Sequence, residues 1–246
     1  MSFDDLTDVY EAMIDWPKRL AHEEPFYRRW FEQAGVKSLV DVACGTGSHA
    51  AMFHGWQLRA EGADLSPAMI QRARQTFGEP PGLRFVVRGF DQPIEPSGFD
   101  AAVCVGNSLA LAPDRATAQA AIRQMLAAVR SGGLAIIHVL NLWQLPDGPC
   151  VWQKAKRATL AQSDRFILKG IHRAGDRGYV ELVVADPEGQ APLRSESVPF
   201  LGLETAALED QARAAGAGEV QLFGGYQDQP YDRLHSTDLI MVARKG

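Results

Sequence analysis

Short apolar runs alternate with amphipathic stretches along residues 38–139, and this alternation most constrains the fold. The runs predicted as strands cover 38–43, 56–64, 83–88, 99–106 and 134–139. A helix is expected from Ser66-Pro67, because serine is a favoured N-cap and proline suits the first helical position. Another helix is expected over 113–130, ended by Gly132-Gly133. Strands separated by helices predict a mostly parallel sheet with helices on both faces.

The segments outside this alternation predict a lid, a cap and two closing strands. Amphipathic helices are expected over 6–14 and 18–34. Arg165–His172 and Gly178–Val184 alternate around a polar turn and predict an antiparallel hairpin, to which Ser195–Leu203 can add a third strand. The predicted organisation is a helical lid (1–34), a core (35–149), an antiparallel β insertion that caps the sheet (150–203), and a helix with two strands that bring the main sheet to seven (204–246).

Composition narrows the class of protein. Apolar residues make up 46% of the 246 residues and charged residues 22%, as in ordinary folded proteins. A net charge of −5 disfavours a nucleic-acid partner. The absence of an apolar run of about 18 residues disfavours a membrane span, and the acidic N-terminus does not resemble a secretory signal. The three cysteines lack metal-ligand spacing, so we expect no disulfide, no metal site and a cytoplasmic location.

A glycine loop followed by an acidic residue predicts a nucleoside site. Gly45-Thr46-Gly47 follows the first strand, where glycine lets a ligand approach the backbone and a helix N-terminus offers unpaired N–H groups. Asp64 ends the next strand, 19 residues after Gly45. A carboxylate there can accept hydrogen bonds from both hydroxyls of a ribose.

The same loop also satisfies the relaxed dinucleotide fingerprint, with Ala50 at its third position. Two features oppose that reading. Asp41 would repel a pyrophosphate but attract an ammonium group, and no arginine or lysine follows the glycines to balance two phosphates. A Walker loop is excluded because the chain has no Gly-Lys-Ser/Thr. A nicotinamide-dependent oxidoreductase and a non-catalytic cofactor-binding module stay open as alternatives.

Four segments in order, VDVACGTG, ADLSPAMI, FDAAVCVGNSLA and SGGLAII, resemble the class I S-adenosylmethionine-dependent methyltransferases. The resemblance is strong over about 19–145 and weak over the last 40 residues. ACGTG with a later GNS is similar to the glycine N-methyltransferase-like group, which methylates small amines. The resemblance implies a Rossmann-like α/β fold, S-adenosylmethionine as cofactor, and a small-molecule acceptor for a monomer or homodimer.

The resemblance also implies roles for individual residues. Asp64 would hold the ribose, Gly106 would lie beside the sulfonium, and Arg19 would pair with the cofactor's carboxylate. The methionine moiety would lie against the loop residues Ala43, Gly45 and Gly47, and the adenine against Leu65, Met69, Phe90 and Asp91. The family's usual Gly-Asp pair is one residue out of step here, as Gly89-Phe90-Asp91.

Methyl transfer from an activated donor requires mainly alignment and a dry pocket, so no catalytic dyad is expected. His138 is the best candidate for a general base, because it lies near the carboxyl end of the fifth strand. Asn107 and Tyr10 are further catalytic candidates. The acceptor pocket is predicted to be lined by Trp16, Trp143, His172 and Tyr226.

One departure bears on the acceptor. The glycine N-methyltransferase group carries an arginine after the fifth strand that grips the amino acid's carboxylate, and Leu140 takes that place here. We therefore expect N-methylation of a larger acceptor than glycine, such as an amine, a sugar amine or a secondary-metabolite intermediate. O- or C-methylation with His138 as base remains the alternative.

Overall fold

A computed structural model of the protein describes residues 7–160, 162–189 and 192–246, apart from the side chain of Tyr10. Before the fourth strand the chain forms four helices and three strands, in the order that the alternation predicts. The helices are α1 (Thr7–Met13), α2 (Trp16–Ala34), α3 (Ser48–Gly55), α4 (Pro67–Phe77), α5 (Arg115–Ala128) and α6 (Thr205–Ala214). Short 3-10 helices cover Ser108–Leu111 and Leu142–Gln144.

The main sheet has seven strands and confirms the predicted fold class. They are β1 (Ser38–Val42), β2 (Arg59–Asp64), β3 (Leu83–Val87), β4 (Phe99–Cys104), β5 (Val129–Leu140), β10 (Ala217–Phe223) and β11 (Asp238–Lys245). Their spatial order is β10-β11-β5-β4-β1-β2-β3. The first five strands are parallel, and β11 is antiparallel to both of its neighbours.

Local sequence explains where the helices begin and end. Asp15 caps α2 by accepting a hydrogen bond from the backbone N–H of Lys18, and Gly35 ends the helix in the left-handed conformation. Ser66 caps α4 as expected, since its hydroxyl accepts from the backbone N–H of Met69 at 3.1 Å. Asp114 caps α5 in the same way.

A second, antiparallel sheet of four strands forms the predicted insertion. Its strands are β6 (Val151–Leu160), β7 (Ser163–Ala174), β8 (Arg177–Ala185) and β9 (Pro192–Leu201), in that spatial order. We call it the cap sheet. The hairpin β7–β8 and the strand β9 agree with the prediction, whereas β6 was not predicted.

Two hydrophobic cores lie on opposite faces of the main sheet. One includes Ile122 and Met125 of α5, with Phe200 of β9. The other packs α2 and α3 against β1 and β3 through an aromatic group that includes Phe26, Tyr27, Phe53 and Phe85. None of the helices in the described ranges is long and apolar enough to cross a bilayer.

Candidate functional site

The loop between β1 and α3 has a backbone shaped by three left-handed residues. Ala43, Gly45 and Gly47 have φ angles of 60°, 57° and 86°. Left-handed backbone is unusual for an alanine, and such residues concentrate at functional sites. A Cβ on Gly47 would lie 2.6 Å from the ring of Phe85, so packing on β3 also requires this glycine.

Asp64 is held in a fixed orientation at the carboxyl end of β2. The backbone N–H of Gly45 donates to its Oδ2 at 2.8 Å, and the N–H of Ser66 donates to its Oδ1 at 2.9 Å. Both donors are backbone amides, so the fold of the two turns sets the orientation of the carboxylate. Asp64, the residue predicted to bind the ribose, is thus hydrogen-bonded directly to the glycine loop.

The residues predicted around the adenine form one wall beyond Asp64. Leu65 is 72% exposed, although it is a large apolar side chain. A Cβ built on Gly89 would lie 3.6 Å from Leu65 Cδ1 and 2.9 Å from Asp91 Oδ1, so these groups are neighbours. Met69 is buried beneath them in α4, and Phe90 packs partly buried against the core instead. A flat apolar ligand would cover Leu65.

Asp41 is the most unusual group at this edge of the sheet. It is fully buried, and neither carboxylate oxygen has a hydrogen-bond partner among the described residues. Burial raises the pKa of Asp41 from 3.8 to about 8, and the charge of Asp64 adds to the rise while that of Arg19 opposes it. A buried acid without a partner fits a cationic ligand group that binds nearby.

A buried ion cluster joins the lid to the loop, and only one member was predicted. Arg19 Nε donates to Glu23 Oε1 at 2.8 Å, and Glu23 Oε2 lies 2.7 Å from His49 Nε2. Glu23 and His49 are each 3% exposed. Burial raises the pKa of Glu23, but the hydrogen bond and charge of His49, with the charge of Arg19, outweigh it and lower the pKa to about 2.

Arg19 reaches from α2 to the end of β4. A Cβ on Gly106, whose φ is 74°, would lie 2.9 Å from Arg19 Nη2. The predicted Arg19 and Gly106 therefore meet at the carboxyl edge of the sheet. The signals for their missed partners were the spacing of four residues between Arg19 and Glu23 and the position of His49 directly after the glycine loop.

The lid also contacts the loop through Glu11. Both carboxylate oxygens of Glu11 lie 3.1 Å from Trp16 Nε1, and the hydroxyl of Thr46 donates to the same carboxylate. The indole of Trp16 packs edge-on against His49 with ring centroids 5.7 Å apart. Trp16 thus lies beside the loop and Arg19, whereas the sequence predicted it against the acceptor.

His138 and Asn107 join the ends of β4 and β5. His138 Nδ1 accepts from the backbone N–H of Gly106 at 3.1 Å, and Nε2 lies 3.0 Å from Asp238 Oδ1. Since Nδ1 is an acceptor, Nε2 carries the proton and donates to Asp238. Asn107 Oδ1 accepts from the N–H of Leu140 at 3.0 Å. This arrangement opposes the general-base role predicted for His138, because its only basic nitrogen is already hydrogen-bonded.

Three residues predicted to line the acceptor pocket have side-chain contacts within the protein. Tyr226 is buried beneath the lid, with its hydroxyl 3.3 Å from that of Tyr27. Trp143 donates to the carbonyl of Leu203 at 3.4 Å, and the Arg233 guanidinium lies over its ring. His172 stacks on Tyr179 on the opposite face of β7 from the buried Ile171, because side chains alternate along a strand. The side chain of Tyr10 lies outside the described part of the chain.

No group of three or more His, Cys, Asp or Glu side chains within the described ranges is arranged to hold a metal ion. Cys44, Cys104 and Cys150 are all unpaired. The chemistry of this edge therefore rests on carboxylates, one arginine, one histidine and backbone amides.

Comparison with known proteins finds methyltransferases both by sequence and by structure. A family model described as a methyltransferase domain matches residues 39–133. The chain is 30% identical over 166 residues to the glycine/sarcosine N-methyltransferase of Parasynechococcus marenigrum, covering 62% of this chain and 55% of that one. It is 29% identical over 218 residues to the dTDP-4-amino-2,3,4,6-tetradeoxy-D-glucose N,N-dimethyltransferase of Saccharopolyspora spinosa, covering 84% of each chain.

Solved structures show the same architecture from end to end. The amino pentose methyltransferase of Micromonospora echinaspora, solved with bound S-adenosylmethionine, superimposes with a TM-score of 0.74 over 100% of this chain and 98% of that one, at 22% identity. A sugar N-methyltransferase from Streptoalloteichus superimposes with a TM-score of 0.70 over 92% and 88%, at 26% identity. The chain spans about half the length of the glycine N-methyltransferases that it matches. The glycine loop with its paired Asp64 and the strand order agree with these findings: residues 39–133 match a methyltransferase domain, and the whole chain has the fold of the S-adenosylmethionine-dependent methyltransferases to which it is similar.

Proposed function

We propose that this protein is an N-methyltransferase that acts on the amino group of a sugar. The observation that carries the proposal is the extent of similarity, since the amino-sugar N,N-dimethyltransferase of Saccharopolyspora spinosa matches 84% of both chains. The glycine/sarcosine N-methyltransferase matches only 62% of this chain. The match to the amino-sugar enzyme extends over more of this chain, and it therefore includes more of the part that we expect to bind the acceptor.

S-Adenosylmethionine, when bound, supplies a methyl group on a positively charged sulfur that is already activated for transfer. The chain offers a partner for each part of it. Asp64 would bind the ribose, Leu65 and Asp91 would face the adenine, and Arg19 would pair with the carboxylate. Asp41, buried and without a hydrogen-bond partner among the described residues, suits the ammonium end.

The role of the protein in the reaction is alignment and exclusion of water. Arg19 is fixed by Glu23, and Glu23 by His49, so its guanidinium is held at the edge of the sheet before any ligand binds. His138 fixes the backbone of Gly106 from below. Positioning of this kind can supply effective molarities of about 10⁵ M or more.

An amine acceptor suits the way His138 is held. A neutral amine carries its own lone pair and needs little help from a base, whereas a phenol or a carbon acid must lose a proton first. Because Nδ1 of His138 accepts from Gly106, we infer that His138 is a positioning residue. His138→Gln should lower kcat by less than about tenfold, since a general base contributes about 10²-fold or more. A loss of 100-fold together with loss of the acidic limb of the pH–rate profile would contradict this role.

Glycine is a poor candidate for the acceptor. Leu140 stands where the glycine N-methyltransferase group has its carboxylate-binding arginine, and its backbone N–H is bound to Asn107. The leucine side chain offers no donor to a carboxylate.

The test is a direct assay of S-adenosylhomocysteine formation with dTDP-4-amino-4,6-dideoxyglucose, the corresponding 4-hydroxy sugar nucleotide, and glycine as separate acceptors. We expect turnover with the amino sugar alone, and a mass increase of one or two methyl groups on its nitrogen. Asp64→Ala protein serves as the control for cofactor-dependent signal. Efficient sarcosine formation, or methylation of the hydroxy sugar at a comparable rate, would overturn the proposal.

A further inference from the structure

One strand of the cap sheet places a lysine between two buried isoleucines. Ile167 packs with Val9 of α1, and Ile171 belongs to the core under α5. Lys169 lies between them on the same face of β7, because residues two apart share a face. We call this the inner face of the cap sheet. The side chain of Lys169 therefore lies between the lid and the main sheet.

Two further lysines share the inner face. Lys154 of β6 is directly opposite Lys169, and Lys156 is opposite Ile167. Opposed residues of antiparallel strands point to the same face, with Cβ atoms about 4.5–5.5 Å apart. Lys154, Lys156 and Lys169 form what we call the lysine cluster. None of the three has an ion-pair partner within 4 Å among the residues that the structure describes.

The environment of Lys169 connects the cluster to the cofactor edge. Burial lowers the pKa of Lys169, and the positive charges of Lys154 and Arg19 lower it further. Ile171, on the same face of β7 as Lys169, belongs to one core with Val139 and Leu142 at the carboxyl end of β5. The cluster thus faces the space above the carboxyl edge of the main sheet.

Three acidic groups of the neighbouring elements β9 and α1 already have partners. Glu196 of β9 forms an ion pair with Arg194 at 2.9 Å, and Asp8 of α1 pairs with Arg72. Glu11 accepts from Trp16 and Thr46. Like charges opposite each other on neighbouring strands destabilise a sheet, and an external anion would remove that repulsion.

We propose that the lysine cluster of the cap sheet is a subsite for a phosphoryl group of the methyl acceptor, with Lys169 as its central donor. The inference deepens the proposed function, because it assigns an anionic handle to the amine-bearing acceptor. Two lysines on neighbouring strands can bind the oxygens of a phosphate or diphosphate together. The glycine N-methyltransferase group binds the carboxylate of its acceptor with an arginine, where this chain has Leu140. Here the lysines of the cap sheet would supply the positive charge instead.

The experiment measures binding by calorimetry to the full-length protein saturated with S-adenosylhomocysteine. The probes are dTDP, thymidine, which lacks phosphate, and malonate, which carries two carboxylates. We expect dTDP to bind at least tenfold more tightly than thymidine or malonate, with an affinity that weakens as salt is raised. Equal binding of dTDP and thymidine would overturn the proposal, and malonate binding as tightly as dTDP would overturn the assignment to phosphate.

Three variants locate the effect. Lys169→Met should weaken dTDP binding at least tenfold, Lys156→Met about threefold, and Lys169→Arg should stay within threefold of the unmodified protein. Lys37→Met, an exposed lysine at the start of β1, is the matched control and should change nothing. Unchanged dTDP affinity in both Lys169→Met and Lys156→Met would overturn the proposal.

The lysine subsite and the proposed function can be rejected independently of each other. If no amino sugar is methylated but dTDP binding still depends on Lys169, the subsite stands and the choice of acceptor nitrogen falls. If amino-sugar methylation is efficient and dTDP binds without Lys169, the subsite falls and the proposed function stands.

Discussion

The main sheet and the cap sheet face the same space with opposite charge. The edge of the main sheet presents Asp41 and Asp64, and Glu23 of α2 joins them from the lid; Asp41 and Glu23 are deeply buried. The inner face of the cap presents three lysines without acidic partners among the described residues. The acidic side suits a cationic methyl donor, and the basic side suits an anionic acceptor. The comparison suggests that the two substrates are sorted by charge before their reacting atoms meet.

The largest expected effect tests whether the cofactor side depends on backbone shape. Gly45 has a φ of 57°, a conformation that a β-branched residue rarely adopts, and its N–H holds Asp64. Gly45→Val should weaken S-adenosylhomocysteine binding by more than about 100-fold, measured by calorimetry, because the strained backbone would shift the N–H that holds Asp64 and the added side chain would enter the ligand's space. Gly55→Ala is the control, because a Cβ there meets nothing within 4 Å. Normal binding by a folded Gly45→Val protein would refute the dependence on backbone shape.

The next effect tests the carboxylate that the loop positions. Asp64→Ala should weaken S-adenosylhomocysteine binding by about 1–3 kcal/mol, the usual range for hydrogen bonds to a charged group. Asp210→Ala, an exposed residue of α6, is the control for general loss of negative charge. Unchanged affinity in Asp64→Ala would mean that the ribose is bound elsewhere.

A substitution at a glycine of the cap sheet tests whether the cap and the cofactor edge respond independently. A Cβ on Gly178 of β8 would overlap the ring of the buried Phe200 on β9. Gly178→Ala should lower the free energy of unfolding by about 1–3 kcal/mol, as overpacking of a core does, and leave S-adenosylhomocysteine affinity within about twofold. Chemical denaturation and calorimetry measure the two quantities, with Gly218→Ala as the benign control. A large loss of cofactor affinity would show that the cap and the cofactor edge are one unit.

The smallest effect concerns the protonation of Asp41. Its pKa is raised to about 8, so at neutral pH the carboxyl is mostly protonated, and a cationic ligand beside it favours the ionised form. Binding of S-adenosylhomocysteine near pH 7 should therefore release a proton, and affinity should fall by at most about tenfold per pH unit below pH 8. Calorimetry in two buffers of different ionisation enthalpy measures this release.

Asp41→Asn is the matched variant for that measurement, because it keeps the shape of the side chain and cannot titrate. Its affinity should not change with pH between about 6 and 8. The folded pKa lies above the unfolded value, so the stabilising contribution of Asp41 is present at low pH and lost as pH rises through about 8. Asp41→Asn should therefore gain stability relative to the unmodified protein between pH 5 and 8.

The sequence predicted the main sheet well because its strands are buried on both faces. β1 is buried at all five positions, and such runs stand out as continuous apolar segments. β6 was missed because eight of its ten residues, Val151 to Arg157 and Thr159, are exposed, which leaves no apolar alternation to detect. The predicted helix over 113–130 was two residues too long at each end, since Asp114 is the N-cap and Val129 already pairs with Phe99 of β4.

The candidate site was predictable where a motif carries it and not where the tertiary structure assembles it. Gly45 lies in the turn after β1, and Asp64 and Ser66 lie in the turn after β2. Each residue belongs to a recognisable motif, so the sequence indicates its role. Glu23 and His49 are 26 residues apart and meet only because α2 packs on α3. The stacking of His172 on Tyr179 could not be predicted, because a one-residue shift along a strand moves a side chain to the other face.

The interior position of β11 has a consequence for how the protein is made. This strand lies between β5 and β10, so the main sheet keeps a gap at that place until residues 238–245 have been synthesised. The carboxylate that holds His138 also comes from this strand, at Asp238. A nascent chain on the ribosome therefore has neither a closed sheet nor a finished catalytic edge, and the apolar flanks of β5 and β10 stay open to chaperones until translation passes β11.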